Sequence, residues 1–199
     1  MTQDDQPSFT KDFFSNNIAR WQEILGPWSG KPHLKFLEIG VLEGRATCWL
    51  LTNILTHSTS RIVCMDTFEG SMEHQVGKPR SVDRLDSLQE RFLRNISPFK
   101  SKVKVQMGRS QELLRKHRLY SFDFVYVDGS HRSCDVLEDA ILAFRLLKAG
   151  GILIFDDYDW DLYVGTLNNP RAGIDSFLEI FADQYSVISK GYQVALRKH

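Results

Sequence analysis

The order of apolar segments along the chain constrains its fold more than any other feature. Five short apolar runs, at 35–39, 61–65, 103–107, 122–127 and 152–155, have strand character. Apolar residues at helical spacing lie between them, most clearly over Ser133–Lys148. Parallel strands joined by short loops need crossover helices. The alternation therefore predicts an α/β fold, a Rossmann-like, doubly wound and mostly parallel sheet with helices on both faces.

The two ends of the chain add to this core. Helical spacing of apolar residues predicts an N-terminal capping helix at about 10–25, and the apolar runs at 185–189 and 192–196 predict a closing antiparallel hairpin. The helix that begins at Ser133 is expected to end with Lys148 in its last turn and Gly150 as its left-handed stop. No repeat or linker interrupts the sequence, so one domain over 1–199 is predicted.

Composition limits the classes of partner. The 199 residues are 42% hydrophobic, enough for one sizeable core. Lys and Arg balance Asp and Glu at 25 each, which disfavours nucleic acid and anionic lipid as partners and favours a small molecule. The absence of an export signal or a membrane-length apolar run predicts a cytoplasmic protein. Cys48, Cys64 and Cys134 lie in apolar segments without metal-site spacing, which predicts buried reduced thiols.

Acidic residues lie at or near the ends of four predicted strands. Glu38, Asp66, Asp128 and the pair Asp156-Asp157 occupy these positions. One such acid is better explained as a helix cap or a satisfied turn residue. However, the carboxyl ends of parallel strands meet at one edge of the sheet, where open α/β folds bind ligands. All of these acids at one edge therefore predict a binding site.

The turn after the first strand narrows the ligand class. Gly40 allows a tight turn, and Gly44 allows backbone to approach a ligand or a neighbouring strand closely. A dinucleotide fingerprint has its middle glycine where this chain has Leu42, and the next residue, Glu43, would repel a diphosphate. A nucleoside ligand without phosphate is therefore predicted. S-adenosylmethionine fits, with its ammonium near Glu38 and its ribose hydroxyls on the acid that ends the second strand.

From residue 36 to 196 the sequence resembles the class I S-adenosylmethionine-dependent methyltransferases. The segments 65–70, 124–131 and 147–158 are similar to bacterial small-molecule O-methyltransferases of the macrocin O-methyltransferase group. The resemblance implies that a magnesium-like ion is held by Asp128, Asp156 and Asp157. It also implies a set of cofactor contacts, namely Glu38, Gly40, Gly44, Asp66, Thr67, Ser110 and Asp128.

The chemistry expected from this resemblance is alignment of an acceptor hydroxyl and removal of its proton. A divalent ion would lower the pKa of that hydroxyl. Several relatives have an acid two residues after the first metal ligand, where this chain has Ser130. The catalytic candidates are therefore Asp128 and His131, although a histidine at the start of a helix is as often a cap or a solvated residue.

Several alternatives stay open at this point. The chain could instead be a nicotinamide-dependent oxidoreductase or a cofactor-binding module without activity, and the sequence is compatible with a homo-oligomer.

Asp156 and Asp157 can share one ion only if the fifth strand has already ended, because successive strand residues point to opposite faces. Residues 70–80 lack periodicity and follow the second strand, which predicts a mobile lid.

Overall fold

A computed structural model describes residues 7–71, 74, 77–78 and 85–199, and it contains a mixed sheet. Its strands in this part of the chain are β1 Lys35–Ile39, β2 Arg61–Asp66, β3 Val103–Met107, β4 Phe122–Val127, β5 Leu147–Phe155, β6 Tyr185–Lys190 and β7 Val194–Lys198. The strand order is β3-β2-β1-β4-β5-β7-β6. Strands β1 to β5 are parallel, whereas β7 is antiparallel to both of its neighbours. The predicted mostly parallel sheet with a C-terminal hairpin is confirmed.

Helices cover both faces of the sheet. They are α1 Ile18–Leu25, α2 Arg45–Asn53, α3 Leu88–Asn95, α4 Ser110–Leu114, α5 Ser133–Leu146 and α6 Arg171–Ile180. Alternate strand residues face opposite cores, so Phe36 packs with Trp21 and Phe92 from α1 and α3. Its neighbour Leu37 belongs to the second core, with Phe144 of α5 and residues of α6. The winding reverses between β1 and β4, and this is the switch point at which such sheets bind ligands.

The N-terminal helix is shorter than predicted. Residues 7–14 are irregular, and a 3-10 turn over Ser15–Asn17 leads into α1. The ring of Trp21 in α1 is fully buried and packs edge-on against Tyr126 of β4, with 4.7 Å between ring centroids. Its indole Nε1 donates a hydrogen bond of 2.7 Å to Gln193 Oε1. These contacts fix α1 to the middle of the sheet.

The predicted end of α5 was wrong. The helix stops before Leu147, which has an extended backbone and pairs with Phe122 of β4. Lys148 consequently lies in β5, where its Nζ donates to Asp123 Oδ1 at 2.6 Å instead of capping helix carbonyls. Gly150 does have a left-handed φ of 75°, but it lies in an irregularity of the β4–β5 pairing. Pairing with a distant strand overrode the local helical pattern here.

The cysteine prediction is confirmed in part. Cys48 and Cys64 are buried free thiols, and burial raises the pKa of Cys48 to about 12. Cys134 is exposed, because the second residue of α5 points away from the sheet.

Two further findings concern membrane spans and the predicted lid. Among the described residues, no helix has the length and apolar character that a membrane crossing requires. Of the predicted lid at 70–80, six residues lie outside the described part of the chain, so that prediction stays untested.

Replacing Gly40 with alanine should destabilise the folded protein at the junction between β1 and β4. Gly40 has a φ of 78°, and a Cβ there would lie 1.9 Å from the Asp128 carbonyl oxygen. We expect Gly40→Ala to lower the free energy of unfolding by about 3 kcal/mol, measured by urea denaturation. The matched control is Gly191→Ala, because a Cβ at Gly191 would meet no atom within 4 Å. Equal stability of the two variants would contradict this account.

Candidate functional site

The cleft at the switch point is formed where β1 and β4 end side by side. Backbone hydrogen bonds of 2.8 Å join Asp128 N to Ile39 O and Gly40 N to Met65 O, so the three strand ends are held together. The cleft is lined by residues of the strand ends, of the turn after β1 and of the N-terminal segment, including Glu38, Val41, Leu42, Tyr126, Asp128, Phe9, Lys11 and Phe13.

Glu38 is a buried carboxyl group at the base of this cleft. Its side chain is only 1% exposed, and Thr47 Oγ1 donates a hydrogen bond of 2.6 Å to Oε2. Burial raises the pKa of Glu38 to about 8, and the nearby Asp66 carboxylate adds to the rise. A cationic group placed in the cleft would stabilise the ionised form. The position therefore suits the ammonium group predicted to bind there.

Asp66 organises the turn after β1. Its Oδ2 accepts hydrogen bonds from the backbone N–H groups of Val41 at 2.7 Å and Leu42 at 3.1 Å, and its Oδ1 accepts one from Phe68 at 2.7 Å. A carboxylate has about four acceptor positions, so Oδ1 keeps one for a ligand. Thr67 lies next to it and accepts a hydrogen bond from Glu69 N through Oγ1, at 3.3 Å. Ribose contacts by Asp66 and Thr67 stay predictions.

Two further predicted cofactor residues, Gly44 and Ser110, have contacts within the protein. Gly44 caps α2 with a φ of 82°, and a Cβ there would lie 2.9 Å from the Phe92 ring, so its lack of a side chain serves the contact with α3. Ser110 Oγ donates at 2.9 Å to Asp139 Oδ2. Sequence reasoning missed Asp139, a buried acid on α5. Its spacing of three residues from the buried Val136 was the available signal.

Asp128, Asp156 and Asp157 converge in a second, smaller pocket that shares Asp128 with the cleft. The hydroxyl of Tyr126 lies between Asp128 and Asp156 and is hydrogen-bonded to both, at 3.0 Å from Asp128 Oδ2. Burial and then the charges of Asp156 and Asp157 raise the pKa of Asp128 well above its usual range, while His131 opposes the rise. Burial also raises the pKa of Asp156 to about 7. Such close acids favour either a shared proton or a bound cation.

The fifth strand ends before Asp157. Its last residue is Phe155, and Asp157 has a left-handed φ of 58°, which turns its carboxylate toward His131. His131 Nε2 lies 2.8 Å from Asp157 Oδ2, and the Tyr192 hydroxyl donates to Oδ1 at 2.5 Å. Because β5 ends before Asp157, the alternation of strand side chains between the two faces no longer applies to this residue. The sequence argument had set this as the condition for a shared site.

The structure groups Asp157 with Asp128 and His131. Each of the three offers one ligand atom, and these atoms all lie within 4.8 Å of one another. Two carboxylates and an imidazole are a donor set that fits a divalent cation. Asp156, the third predicted ligand, instead uses Oδ2 for Tyr126 and Oδ1 for the backbone N–H of Asp157.

Trp160 and Ser130 lie next to His131. Its ring lies 4.3 Å from that of Trp160, which is 4% exposed and so packs beneath the site. Ser130, which replaces the acid of several relatives, donates through Oγ to Asp135 Oδ2 at 2.8 Å. That serine therefore serves the first turn of α5.

Replacing Glu38 with glutamine should change how stability depends on pH. The raised pKa means that the folded protein binds one more proton than the unfolded chain between pH 4.5 and about 8. The stabilisation is complete below pH 4.5 and is lost as the pH rises through 8. In Glu38→Gln the slope should shrink by up to about 1.4 kcal/mol per pH unit, measured by denaturation across this range. The exposed control Glu179→Gln should keep the original slope, and an unchanged slope in Glu38→Gln would refute the assignment.

Comparison with known proteins agrees with this geometry. Residues 37–158 match the family described as a methyltransferase domain. No curated protein matches the chain. Among solved structures, it is similar to the O-methyltransferase from Bacillus cereus in complex with SAH, with 23% identity, a TM-score of 0.61 and coverage of 96% of this chain and 84% of that one.

Two further solved structures share the fold. The O-methyltransferase TomG from Streptomyces achromogenes, in complex with SAM, is 19% identical over 83% of this chain and 73% of its own, with a TM-score of 0.57. A protein from Clostridium thermocellum, provisionally assigned as an rRNA methylase, is 14% identical over 94% of this chain and 100% of its own, with a TM-score of 0.65. The matched region is more than half of the chain and includes the turn after β1 and the acids at the ends of β2, β4 and β5, so the chain belongs to the methyltransferase-domain family.

Proposed function

We propose that this protein is an S-adenosylmethionine-dependent O-methyltransferase that acts on the hydroxyl of a small molecule. The observation that carries the proposal is the closeness of two features that meet at Asp128. Asp128 lines the cleft together with buried Glu38, and it also lines a neighbouring pocket together with His131 and Asp157. The first suits a cationic amino-acid group, and the second suits an acceptor hydroxyl that must lose its proton.

The turn after β1 supports S-adenosylmethionine over a nicotinamide cofactor. Dinucleotide-binding turns direct backbone N–H groups at a diphosphate. Here the N–H groups of Val41 and Leu42 donate to Asp66, and the following Glu43 is a buried acid. A diphosphate would have to displace one carboxylate and approach another. A sulfonium cofactor without phosphate avoids both costs.

Each predicted contact has a defined task in this proposal. Glu38 would neutralise the ammonium of the cofactor, Asp66 and Thr67 would hold its ribose, and Ser110 would border its adenine. Gly40 and Gly44 shape the turn that lines the cleft. The resulting alignment of the methyl carbon with the acceptor oxygen is the main catalytic requirement, since the sulfonium already activates the carbon.

We further propose that a divalent cation such as Mg²⁺ is held by Asp128 and Asp157, with His131 as the third ligand. When bound, the cation would lower the pKa of the acceptor hydroxyl. Asp156 then acts behind the site, where its contact with the Tyr126 hydroxyl helps to fix the position of Asp128. If transfer proceeds without metal, the His131–Asp157 pair is the base that takes the proton.

The class of acceptor is inferred from charge and from the neighbours. The formal net charge of zero gives no field for a polyanionic acceptor, which favours a small molecule over RNA. The O-methyltransferases among the structural neighbours favour a hydroxyl as the acceptor group. Closeness to the macrocin O-methyltransferase group, a cytoplasmic location and homo-oligomerisation stay our predictions.

Replacing Asp66 with asparagine tests the cofactor assignment. We expect wild-type protein to bind S-adenosylhomocysteine in calorimetry and Asp66→Asn to bind it about ten-fold more weakly, because hydrogen bonds to a carboxylate are stronger than those to an amide. The control is the exposed Asp183→Asn, which should bind as the wild type does. Unchanged affinity in a folded Asp66→Asn variant would remove the ribose assignment.

Titration with Mn²⁺ tests the cation site directly. We expect Asp157→Asn and His131→Gln to weaken Mn²⁺ binding by about ten-fold or more, measured by calorimetry in the presence of S-adenosylhomocysteine. Asp159→Asn is the matched control in the same loop, because Asp159 pairs with the exposed Arg171. A larger loss in Asp156→Asn than in His131→Gln would identify Asp156 as the third ligand. Full methyl transfer in excess chelator would overturn the metal proposal and leave the His131–Asp157 base.

A further inference from the structure

The turn between β6 and β7 lies beside the acids of the site. Because β7 is antiparallel to β5 and its first residue, Val194, pairs with Phe155, this turn lies at the edge of the sheet where β5 ends. The Tyr192 carbonyl oxygen accepts a hydrogen bond of 2.8 Å from Tyr158 N. The hydroxyl of the same residue donates to Asp157 Oδ1 at 2.5 Å. One residue of the turn therefore contacts two successive residues of the segment after β5.

The position of this turn does not depend on the Tyr192 hydroxyl. The neighbouring Gln193 is 9% exposed, and its Oε1 accepts a hydrogen bond of 2.7 Å from Trp21 Nε1. The backbone contact between Tyr192 and Tyr158 is also independent of the hydroxyl. Tyr192 itself is 45% exposed, so its side chain contributes little to the core. Removal of the hydroxyl should therefore leave the fold intact and change only the contact with Asp157.

The carboxylate of Asp157 is held at both of its oxygens. His131 Nε2 lies 2.8 Å from Oδ2, and the Tyr192 hydroxyl donates to Oδ1. The last torsion of an aspartate side chain is broad, so the carboxylate turns easily when nothing holds it. Contacts at both oxygens oppose that rotation. Oδ2 consequently faces His131, and Oδ1 faces Tyr192.

The backbone of Asp157 supports a role for this arrangement beyond packing. Its left-handed φ of 58° is unfavourable for a residue with a Cβ and persists only where neighbouring contacts hold it. The hydrogen bond from Tyr158 N, on the next residue, to the turn is such a contact. The side chains of Asp157 and His131 are only 15% and 14% exposed, so water has limited access to replace the Tyr192 hydroxyl.

The number of oxygens that a carboxylate offers affects which cation it prefers. Ca²⁺ takes about six to eight oxygen ligands in a flexible geometry and often binds both oxygens of one carboxylate. Mg²⁺ and Mn²⁺ prefer an octahedral arrangement of about six ligands. A carboxylate that offers one oxygen therefore suits the octahedral ions, whereas one that can turn both oxygens toward the ion suits Ca²⁺.

We infer that Tyr192 is a positioning residue that makes the site select an octahedral cation such as Mg²⁺ or Mn²⁺ over Ca²⁺. Its hydroxyl holds Oδ1 of Asp157 and so leaves Oδ2 as the oxygen available to the ion. The inference rests on the proposed function, namely that Asp128, His131 and Asp157 hold a divalent cation. It extends the site to the C-terminal hairpin, which the sequence did not connect with these residues.

The test compares two ions that differ in their preferred coordination. Mn²⁺ and Ca²⁺ are titrated separately by calorimetry, at one pH, into wild type, Tyr192→Phe and Tyr120→Phe. The wild type should bind Mn²⁺ about ten-fold or more tightly than Ca²⁺. In Tyr192→Phe both oxygens of Asp157 can turn toward the ion, so Ca²⁺ should bind more tightly and the preference should fall to about three-fold or less. The control changes an exposed tyrosine that packs against Lys198, and it should keep the full preference.

The outcomes separate this inference from the proposed function. If the wild type binds neither ion, the proposed cation site fails and the inference fails with it. If the wild type binds Mn²⁺ without preference, or Tyr192→Phe keeps the full preference, the positioning role fails and the cation site stands. Equal weakening of both ions in Tyr192→Phe would show a merely structural hydroxyl and would also overturn the inference. Should Tyr192→Phe not fold by circular dichroism, Tyr192→Ala replaces it with the same expected loss of preference.

Discussion

The close approach of the Gly40 turn to the end of β4 is the contact on which the rest of the site depends. The Asp128 carbonyl oxygen occupies the place where any side chain at position 40 would begin. This approach lets β1 and β4 end side by side at the switch point of the sheet. Glu38 and Asp128, which are 90 residues apart in the sequence, consequently line the same cleft.

The acids in and around the site lower the stability of the folded protein, because they are buried without a cationic partner. Glu38, Asp139 and Asp156 are all buried acids, and the hydrogen bonds that hold them come from neutral donors such as Thr47 and Ser110. Burial raises the pKa of each of these acids and so favours its protonated form, whereas a cation bound nearby would favour the ionised form. Clusters of this kind are typical of functional sites, where ligand binding recovers part of the cost.

The sequence predicted the features that depend on local periodicity. The strands and the acids at their ends follow from apolar runs of two-residue period and from the rule that parallel strands finish at one edge. The end of α5 could not be predicted, because Leu147 leaves a good helical pattern to pair with Phe122, a contact 25 residues away.

The parts of the site that sequence reasoning missed depend on tertiary contacts. Asp139 is buried on α5, where it accepts hydrogen bonds from Ser110 and Gln111 of α4, and the sequence pattern of α5 alone does not show that contact. The pairing of His131 with Asp157 depends on the left-handed backbone of Asp157, shortly after β5 ends, and the residue types in that segment do not predict this conformation. Residue identity therefore predicted that acids collect at this edge of the sheet but not which of them meet.

The N-terminal segment completes the cleft by the same kind of long-range contact. Thr10 donates from its backbone N and its Oγ1 to the two oxygens of Glu43, both at 2.7 Å, and Arg91 Nε donates to the same carboxylate. Glu43 lies directly after Val41 and Leu42, whose backbone N–H groups donate to Asp66 at the end of β2. The loop after β1 is therefore held by β2 on one side and by Thr10 on the other. Phe9 and Lys11 then lie over the cleft that contains Glu38. Part of the lining of the cleft is thus supplied by a segment without helix or strand, and hydrogen bonds to the buried carboxylate of Glu43 hold that segment against the turn after β1.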